Sequence, residues 1–187
     1  MIPIRNKKKT LQVTVDEMRN FALAYVEKYA PSKQQLKTYL LKKYLKASVS
    51  NIKKQDIHNL IDLVLSDLEK NRFVNDKFYS ESKAKSMIQR GNSINKIRNY
   101  LIGKGINNSF INETINKIND ENSDQDFFSA IKVCKKKRIG PARIEDNRSL
   151  FYKKDISLLA RNGFNFETSR KVMDLEKTDY LKIIKLL

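Results

Sequence analysis

The chain carries one histidine, His58, and one cysteine, Cys134, and neither stands in a pattern that does chemistry. A catalytic or metal-binding imidazole needs an orienting partner. His58 instead sits between Ile57 and Asn59 on a segment of helical periodicity, where a structural or surface role is expected. Lys135, Lys136 and Lys137 would lower the pKa of Cys134, but Cys134 continues the apolar stripe of Phe127 and Ile131, so a buried, inert thiol is expected. A single cysteine excludes an intramolecular disulfide and a Cys-rich zinc site, and suits a reducing cytoplasm. The nearest approach to a metal loop is Asp120-Glu-Asn122-Ser-Asp124-Gln125. Gln125 stands where a calcium loop turns on glycine, and Ile131 where it needs a bidentate glutamate. The run therefore reads as a polar linker leading into a helix N-cap. With no phosphate loop, nucleophile elbow or Cys-x-x-Cys, the expectation is a protein that is not an enzyme and uses no cofactor and no metal.

Charge is the stronger signal. Thirty-eight Lys and Arg against twenty-one Asp and Glu leave a net +17 over 187 residues, which predicts attraction to a polyanion, nucleic acid first. No stretch approaches the roughly 20 apolar residues of a membrane span, and residues 1–9 lack an apolar signal core. The excess is spread along the chain but sorted locally. Three acid-free blocks stand out: 32–54 with Lys33, Lys37, Lys42 and Lys43; 82–112 with Arg90, Lys96, Arg98 and Lys104; and 130–144 with Lys132, Lys135, Lys136, Lys137, Arg138 and Arg143. The acids gather elsewhere, at Asp56, Asp62, Asp67 and Glu69, at Glu113, Asp120 and Glu121, and at Glu167, Asp174 and Glu176. Tyr39, Tyr44 and Tyr100 lie among the cations, where they either stack on bases or serve as core residues with a wet hydroxyl.

The elements that must present these blocks are helical. Met18, Phe21, Ala22, Tyr25 and Tyr29 form one stripe; Leu36, Tyr39, Leu40 and Tyr44, after Pro31 and a Ser32 cap, a second; Ile57, Leu60, Ile61, Val64, Leu65 and Leu68 a third. Leu11 to Thr14 is the one candidate strand, too short to build a sheet. The triplet starts again with Phe78, Met87 and Ile88, then Ile94, Ile97, Tyr100 and Leu101, then Phe110, Ile111, Ile115 and Ile118. A third pass uses Phe127, Ala130 and Ile131, then Ile156 and Leu159, then Phe166, Val172 and Met173, with 179–187 as a closing helix. Leu40, Leu101 and Leu159 fall at corresponding positions, and Gly105-Ile106 and Gly163-Phe164 follow as left-handed helix ends with an apolar residue tucked back. Tyr44 takes the glycine's place in the first pass, so that turn is expected to differ. The expected fold class is all-α: three tandem three-helix repeats stacked into an elongated, curved body. Its expected parts are a flexible basic N-terminus (1–14) and repeats at 15–74, 75–123 and 124–187, the last carrying the capping helix.

Leu65-Ser-Asp-Leu-Glu-Lys-Asn-Arg-Phe73-Val-Asn-Asp76-Lys-Phe78-Tyr resembles the central signature of the RecX family, where an apolar helix gives way to an Asp and then a Phe opening the next helix. Ile97-Arg-Asn-Tyr-Leu-Ile-Gly-Lys-Gly105-Ile106 is similar to the family's second-repeat helix and turn, and Leu158-Leu-Ala-Arg161-Asn-Gly163-Phe164 to its third-repeat counterpart. The likeness spans about 15–175. Tyr44 for the first turn glycine, and Asn75 where an acidic pair with Asp76 is common, depart from the pattern. The resemblance implies three helical repeats, a cytoplasmic regulator, and binding in the groove of the RecA filament on single-stranded DNA, usually inhibiting ATP hydrolysis, strand exchange and coprotease activity.

The family offers no compact catalytic motif, so the candidate contacts come from charge alone: Lys33, Lys37, Lys42, Lys43, Lys96, Arg98, Lys104, Lys135, Lys136, Lys137 and Arg138. The expected partner is the RecA filament, with direct contact to DNA, no membrane and a monomeric state. The alternative is a helical module acting on DNA or RNA directly, for which the basic blocks alone suffice.

Overall fold

The computed structural model describes residues 11–46 and 53–187. Among these residues the chain is all helical: α1 (Val15–Tyr29), α2 (Lys33–Lys46), α3 (Lys54–Lys70), α4 (Asp76–Gln89), α5 (Ile94–Gly103), α6 (Asn108–Glu121), α7 (Gln125–Lys137), α8 (Arg148–Arg161), α9 (Phe166–Met173) and α10 (Lys177–Leu186). Two short 3₁₀ turns, Gly140–Ala142 and Glu145–Asn147, join α7 to α8. The candidate strand at Leu11 to Thr14 is irregular chain: Leu11 and Val13 lean on the core, and Thr14 Oγ1 caps α1 by accepting from the Glu17 N–H. Most of the expected basic N-terminus, and the turn after α2 that Tyr44 was expected to alter, lie outside the described residues.

Helix starts follow from side-chain acceptors. Ser32 and Gln35 form a reciprocal capping box, the Gln35 N–H donating to Ser32 Oγ at 3.2 Å and the Ser32 N–H to Gln35 Oε1 at 3.1 Å. Ser93, Asn107 and Asn165 cap α5, α6 and α9 one way only, each side-chain oxygen accepting a single backbone N–H, from Lys96, Ser109 and Thr168. At the end of α8, Gly163 takes φ +89°, its N–H reaching Ala160 O and the Phe164 N–H reaching Leu159 O, which folds the buried Phe164 ring back on the helix. Gly105 and Ile106 repeat this at the end of α5.

The chain divides into two compact units, Met1–Asp76 and Lys77–Leu187. In the first, α1, α2 and α3 pack mutually around Met18, Leu36, Leu40, Ile61, Leu65 and Leu68. Tyr44 belongs to this core, edge-on to Phe21 with centroids 6.5 Å apart, its hydroxyl buried without a hydrogen-bond partner among the described residues. Burial, reinforced by the Glu17 charge, pushes that phenol's pKa well up. Tyr44 is therefore a core residue and no stacking platform. The second unit has two cores, one around Ile97, Leu101, Ile111 and Ile115, the other around Ile131, Leu159, Val172 and Met173. In α4 the buried face runs through Tyr79, Ser80 and Ala84, whereas Phe78 is exposed, one position off the stripe that periodicity suggested. Phe166 is likewise exposed at the start of α9.

Candidate functional site

The eleven cations singled out by charge fall into unlike surroundings. On α2, Lys33 Nζ reaches Glu69 Oε2 at 2.5 Å and Lys37 Nζ reaches Asp62 Oδ1 at 2.6 Å, so acids on α3 meet the first two lysines of the block. Lys43 Nζ lies 3.7 Å from the centre of the Phe21 ring, a cation–π contact, and Lys42 is exposed. On α5, the Arg98 guanidinium donates to Asn112 Oδ1 at 2.8 Å, and Lys104 Nζ lies 5.2 Å from the Tyr100 ring centre. Lys96, Lys135, Lys136, Lys137 and Arg138 are exposed, and among the described residues none has a carboxylate partner. Tyr39 stacks on Tyr25 with centroids 4.1 Å apart, and the Tyr100 hydroxyl lies 3.4 Å from that of Tyr79, so both rings are already engaged within the fold.

The second unit brings the unpaired cations together. One cleft, about 600 Å³, is lined by Arg90, Lys132, Lys135 and Lys136, with Ile184 and Leu187 as its apolar wall. Another, about 360 Å³, is lined by Arg90, Lys96, Lys136 and Lys137 and by the amides Asn92 and Asn162. The two share Arg90 and Lys136, and among the described residues no acidic side chain lines either. Arg90 and Lys132 belong to this group although the sequence singled them out only as members of basic blocks. Arg90 could have been found from its place just after the last residue of α4, where C-terminal carbonyls favour positive charge, whereas Lys132 lies within α7, one turn before the Lys135–Lys137 end, and carries no such signal.

Backbone geometry fixes the clefts. The turn after α4 runs through Gly91 at φ +77°, and a Cβ there would meet Lys132 Cβ at 3.0 Å and Ser129 O at 3.1 Å, so only glycine lets this turn sit directly on α7. Asn92 Nδ2 donates to Met87 O at 2.8 Å and closes the turn. Lys96 is set by the start of α5, which is tied twice. Ser93 Oγ accepts from the Lys96 N–H and donates to Asn162 O at 2.8 Å, while Asp126 Oδ1 on α7 accepts from the Ile94 N–H at 2.8 Å. Burial raises the Asp126 carboxyl's pKa, and the Ile94 N–H works against that rise.

Cys134 is fully buried, and burial with the nearby Asp155 charge pushes its thiol up to about 12. His58 is half-buried on α3. In the Asp120–Gln125 run, α6 continues to Glu121 and Asn122 Oδ1 accepts from the Asp124 N–H at 3.0 Å. Asp124 stands at the N-cap position of α7, as the linker-and-N-cap reading expects, but its side chain makes no capping hydrogen bond and its carboxylate lies 3.6 Å from Lys171 Nζ. Among the described residues no group of three or more His, Cys, Asp or Glu is arranged to hold a metal ion, and no helix is long and apolar enough to cross a membrane. Arg143, a member of the third basic block, is withdrawn into a fork on buried Asp155, with contacts of 2.6 and 2.8 Å, and the Gly140 N–H completes the carboxylate's shell at 2.9 Å. Burial opposes the charge on Asp155, but the Arg143 and Gly140 hydrogen bonds outweigh it and hold its pKa below the ordinary value.

The chain is 30% identical over 176 residues to a protein of Myxococcus xanthus (strain DK1622) named Regulatory protein RecX, the alignment covering 91% of each chain. Proteins of the same name from Clostridioides difficile (strain 630) and Lactococcus lactis subsp. cremoris (strain MG1363) are 27% identical over 117 residues and 31% identical over 121 residues. Those two alignments cover 62% and 61% of this chain, and 53% and 42% of the relatives. No protein-family model and no solved structure matches the chain.

Proposed function

Because the chain belongs to the RecX family of regulatory proteins, we propose that it regulates the RecA recombinase by lying along the groove of the filament that RecA forms on single-stranded DNA. Contact with adjacent protomers then restrains ATP hydrolysis, strand exchange and coprotease activity. The observation that carries this reading is kinship along nearly the whole chain, 91% of it, to a protein named as a RecX regulator. The proposal includes a non-enzymatic, monomeric, cytoplasmic protein without cofactor. It also includes three helical repeats, at 15–74, 75–123 and 124–187. Equivalent tethers support the repeat: Asp76 Oδ1 accepts from the Lys33 N–H at 2.8 Å at the start of α2, as Asp126 does from Ile94 at the start of α5. Lys96 and Lys135–Lys137, gathered around the clefts, are the favoured contacts with the filament, and Lys42, Arg98, Lys104 and Arg138 are secondary ones.

The test is the single-strand-dependent ATPase of the cognate recombinase. Added protein should suppress it, more strongly at low salt, because charge pairing is screened within about 10 Å at 0.1 M ionic strength. Unchanged ATPase at saturating protein would overturn the reading. The acid-free clefts favour a second reading, action on nucleic acid alone. Equal affinity for bare and recombinase-coated strands at the same salt would select it.

A further inference from the structure

The paired clefts have features that a merely solvated basic surface lacks. Six cations, Arg90, Lys96, Lys132, Lys135, Lys136 and Lys137, line two contiguous hollows with no acidic side chain among them. They come from three separate elements whose mutual placement is fixed by Gly91 against α7 and by the Ser93 and Asp126 tethers of α5. Concentrating like charge in one place costs energy until a counter-charge arrives, and a concave wall focuses the resulting field. A protein carboxylate brings one negative charge and two oxygens. A phosphate group brings a tetrahedral set of acceptors, suited to an arginine fork and ammonium donors converging from several sides. Asn92 and Asn162 each spend one amide N–H on a backbone carbonyl, at Met87 and Leu158, and keep the second. Ile184 and Leu187 give the larger hollow an apolar wall, of use to a sugar or base attached to the phosphate.

We propose that the two hollows form one phosphate-binding site, in which Arg90 and Lys136 are shared between two successive phosphate groups of a single ligand. The chemistry has two sources, the backbone of a single strand or a free polyphosphate. The inference rests on the regulatory reading only for its biological use, since the site is defined by its own geometry.

The experiment follows binding of a labelled oligothymidylate to the full chain by fluorescence anisotropy across a salt series, with inorganic tripolyphosphate as competitor. The pair Arg90→Gln/Lys136→Gln is compared with Lys28→Gln/Lys70→Gln, which removes equal charge from exposed positions in the first unit, and thermal melts verify that both variants fold. The cleft pair should lose roughly tenfold or more in affinity and flatten the salt slope by about two, one per lost phosphate contact. The control pair should lose about twofold or less. Displacement of the strand by tripolyphosphate, lost in the cleft pair, assigns a compact polyphosphate as a ligand. Arg90-dependent strand binding that resists tripolyphosphate assigns the nucleic-acid backbone. Equal losses in the two pairs, or binding of neither probe that depends on Arg90, overturns the site. Recombinase ATPase is read separately. If the unaltered protein fails to suppress it while strand binding still depends on Arg90, the regulatory reading falls and the site stands.

Discussion

The α2 face and the α4–α7 clefts look alike as sequence and differ as chemistry. Both derive from acid-free runs rich in lysine, but on α2 the acids arrive from a neighbouring helix, Asp62 and Glu69 lying 25 and 36 residues along the chain from the lysines they meet. Among the described residues no acidic side chain lines the clefts, where Arg90 and Lys135–Lys137 sit at helix C-termini, Lys96 in the first turn of α5 and Lys132 within α7. A basic run is thus paired internally where a mixed-charge helix packs beside it, and left available where none does. The third block shows both fates at once: Lys135, Lys136 and Lys137 are exposed, while Arg143, a few residues on, is committed to Asp155.

The largest effect that would sharpen this contrast lies behind the clefts. Asp155 ties Arg143 and Gly140 just beyond the C-terminus of α7. Asp155→Ala leaves a partly buried guanidinium and a buried N–H unpartnered, and should cost about 3 kcal/mol, measured by urea or thermal unfolding. Because the folded pKa of Asp155 is depressed, its contribution is complete above the ordinary carboxylate pKa and is lost as pH falls through the lowered folded value. Asp155→Asn should therefore flatten the acid limb of the stability curve. An unchanged acid limb would show that this pair does not anchor the end of α7.

Next come the tethers. Asp76→Ala and Asp126→Ala each remove a carboxylate that accepts from the first N–H of an earlier helix, α2 or α5, and each should cost about 1 kcal/mol, the usual worth of a helix cap. Burial raises the pKa of both carboxyls, so Asn, which keeps an acceptor without the charge, should restore most of the loss. Similar costs at the two positions would sharpen the repeat, and a cost at only one would break the equivalence. Asp126→Ala should in addition weaken phosphate binding through Lys96, whereas Asp76→Ala should not.

The all-helical fold was legible because stripes such as Ile57, Ile61, Val64, Leu65 and Leu68 repeat at helical spacing and are buried as a set. Capping and turn chemistry were legible too, at Ser32, Gly105 and Gly163, since these depend on residues within one turn. Phe78 was not: α4 has little amphipathic contrast, and its buried face is built from Tyr79, Ser80 and Ala84, where Ser80 Oγ meets Thr114 Oγ1 at 2.7 Å. Asp155 was invisible for the opposite reason, a carboxylate on an apparent surface position made internal by an arginine twelve residues away. Composition located the cations, but which of them stayed unpaired was decided by long-range contacts that no local pattern encodes.

The smallest effect tests that point most directly. Lys37 and Asp62 are partly exposed, so a double-mutant cycle with Lys37→Gln and Asp62→Asn should give a coupling of about 0.5 kcal/mol or less in thermal or urea unfolding. The more telling readout is affinity for the recombinase-coated strand. If Asp62 occupies Lys37, then Lys37→Gln alone should change that affinity less than Lys96→Gln does, and Asp62→Asn should raise it by freeing a cation for the polyanion. If Lys37→Gln weakens binding as much as Lys96→Gln, the ion pair opens readily to a competing anion. The contrast between the two faces would then be one of resting geometry alone, and the α2 lysines would rejoin the cleft cations as contacts of equal standing.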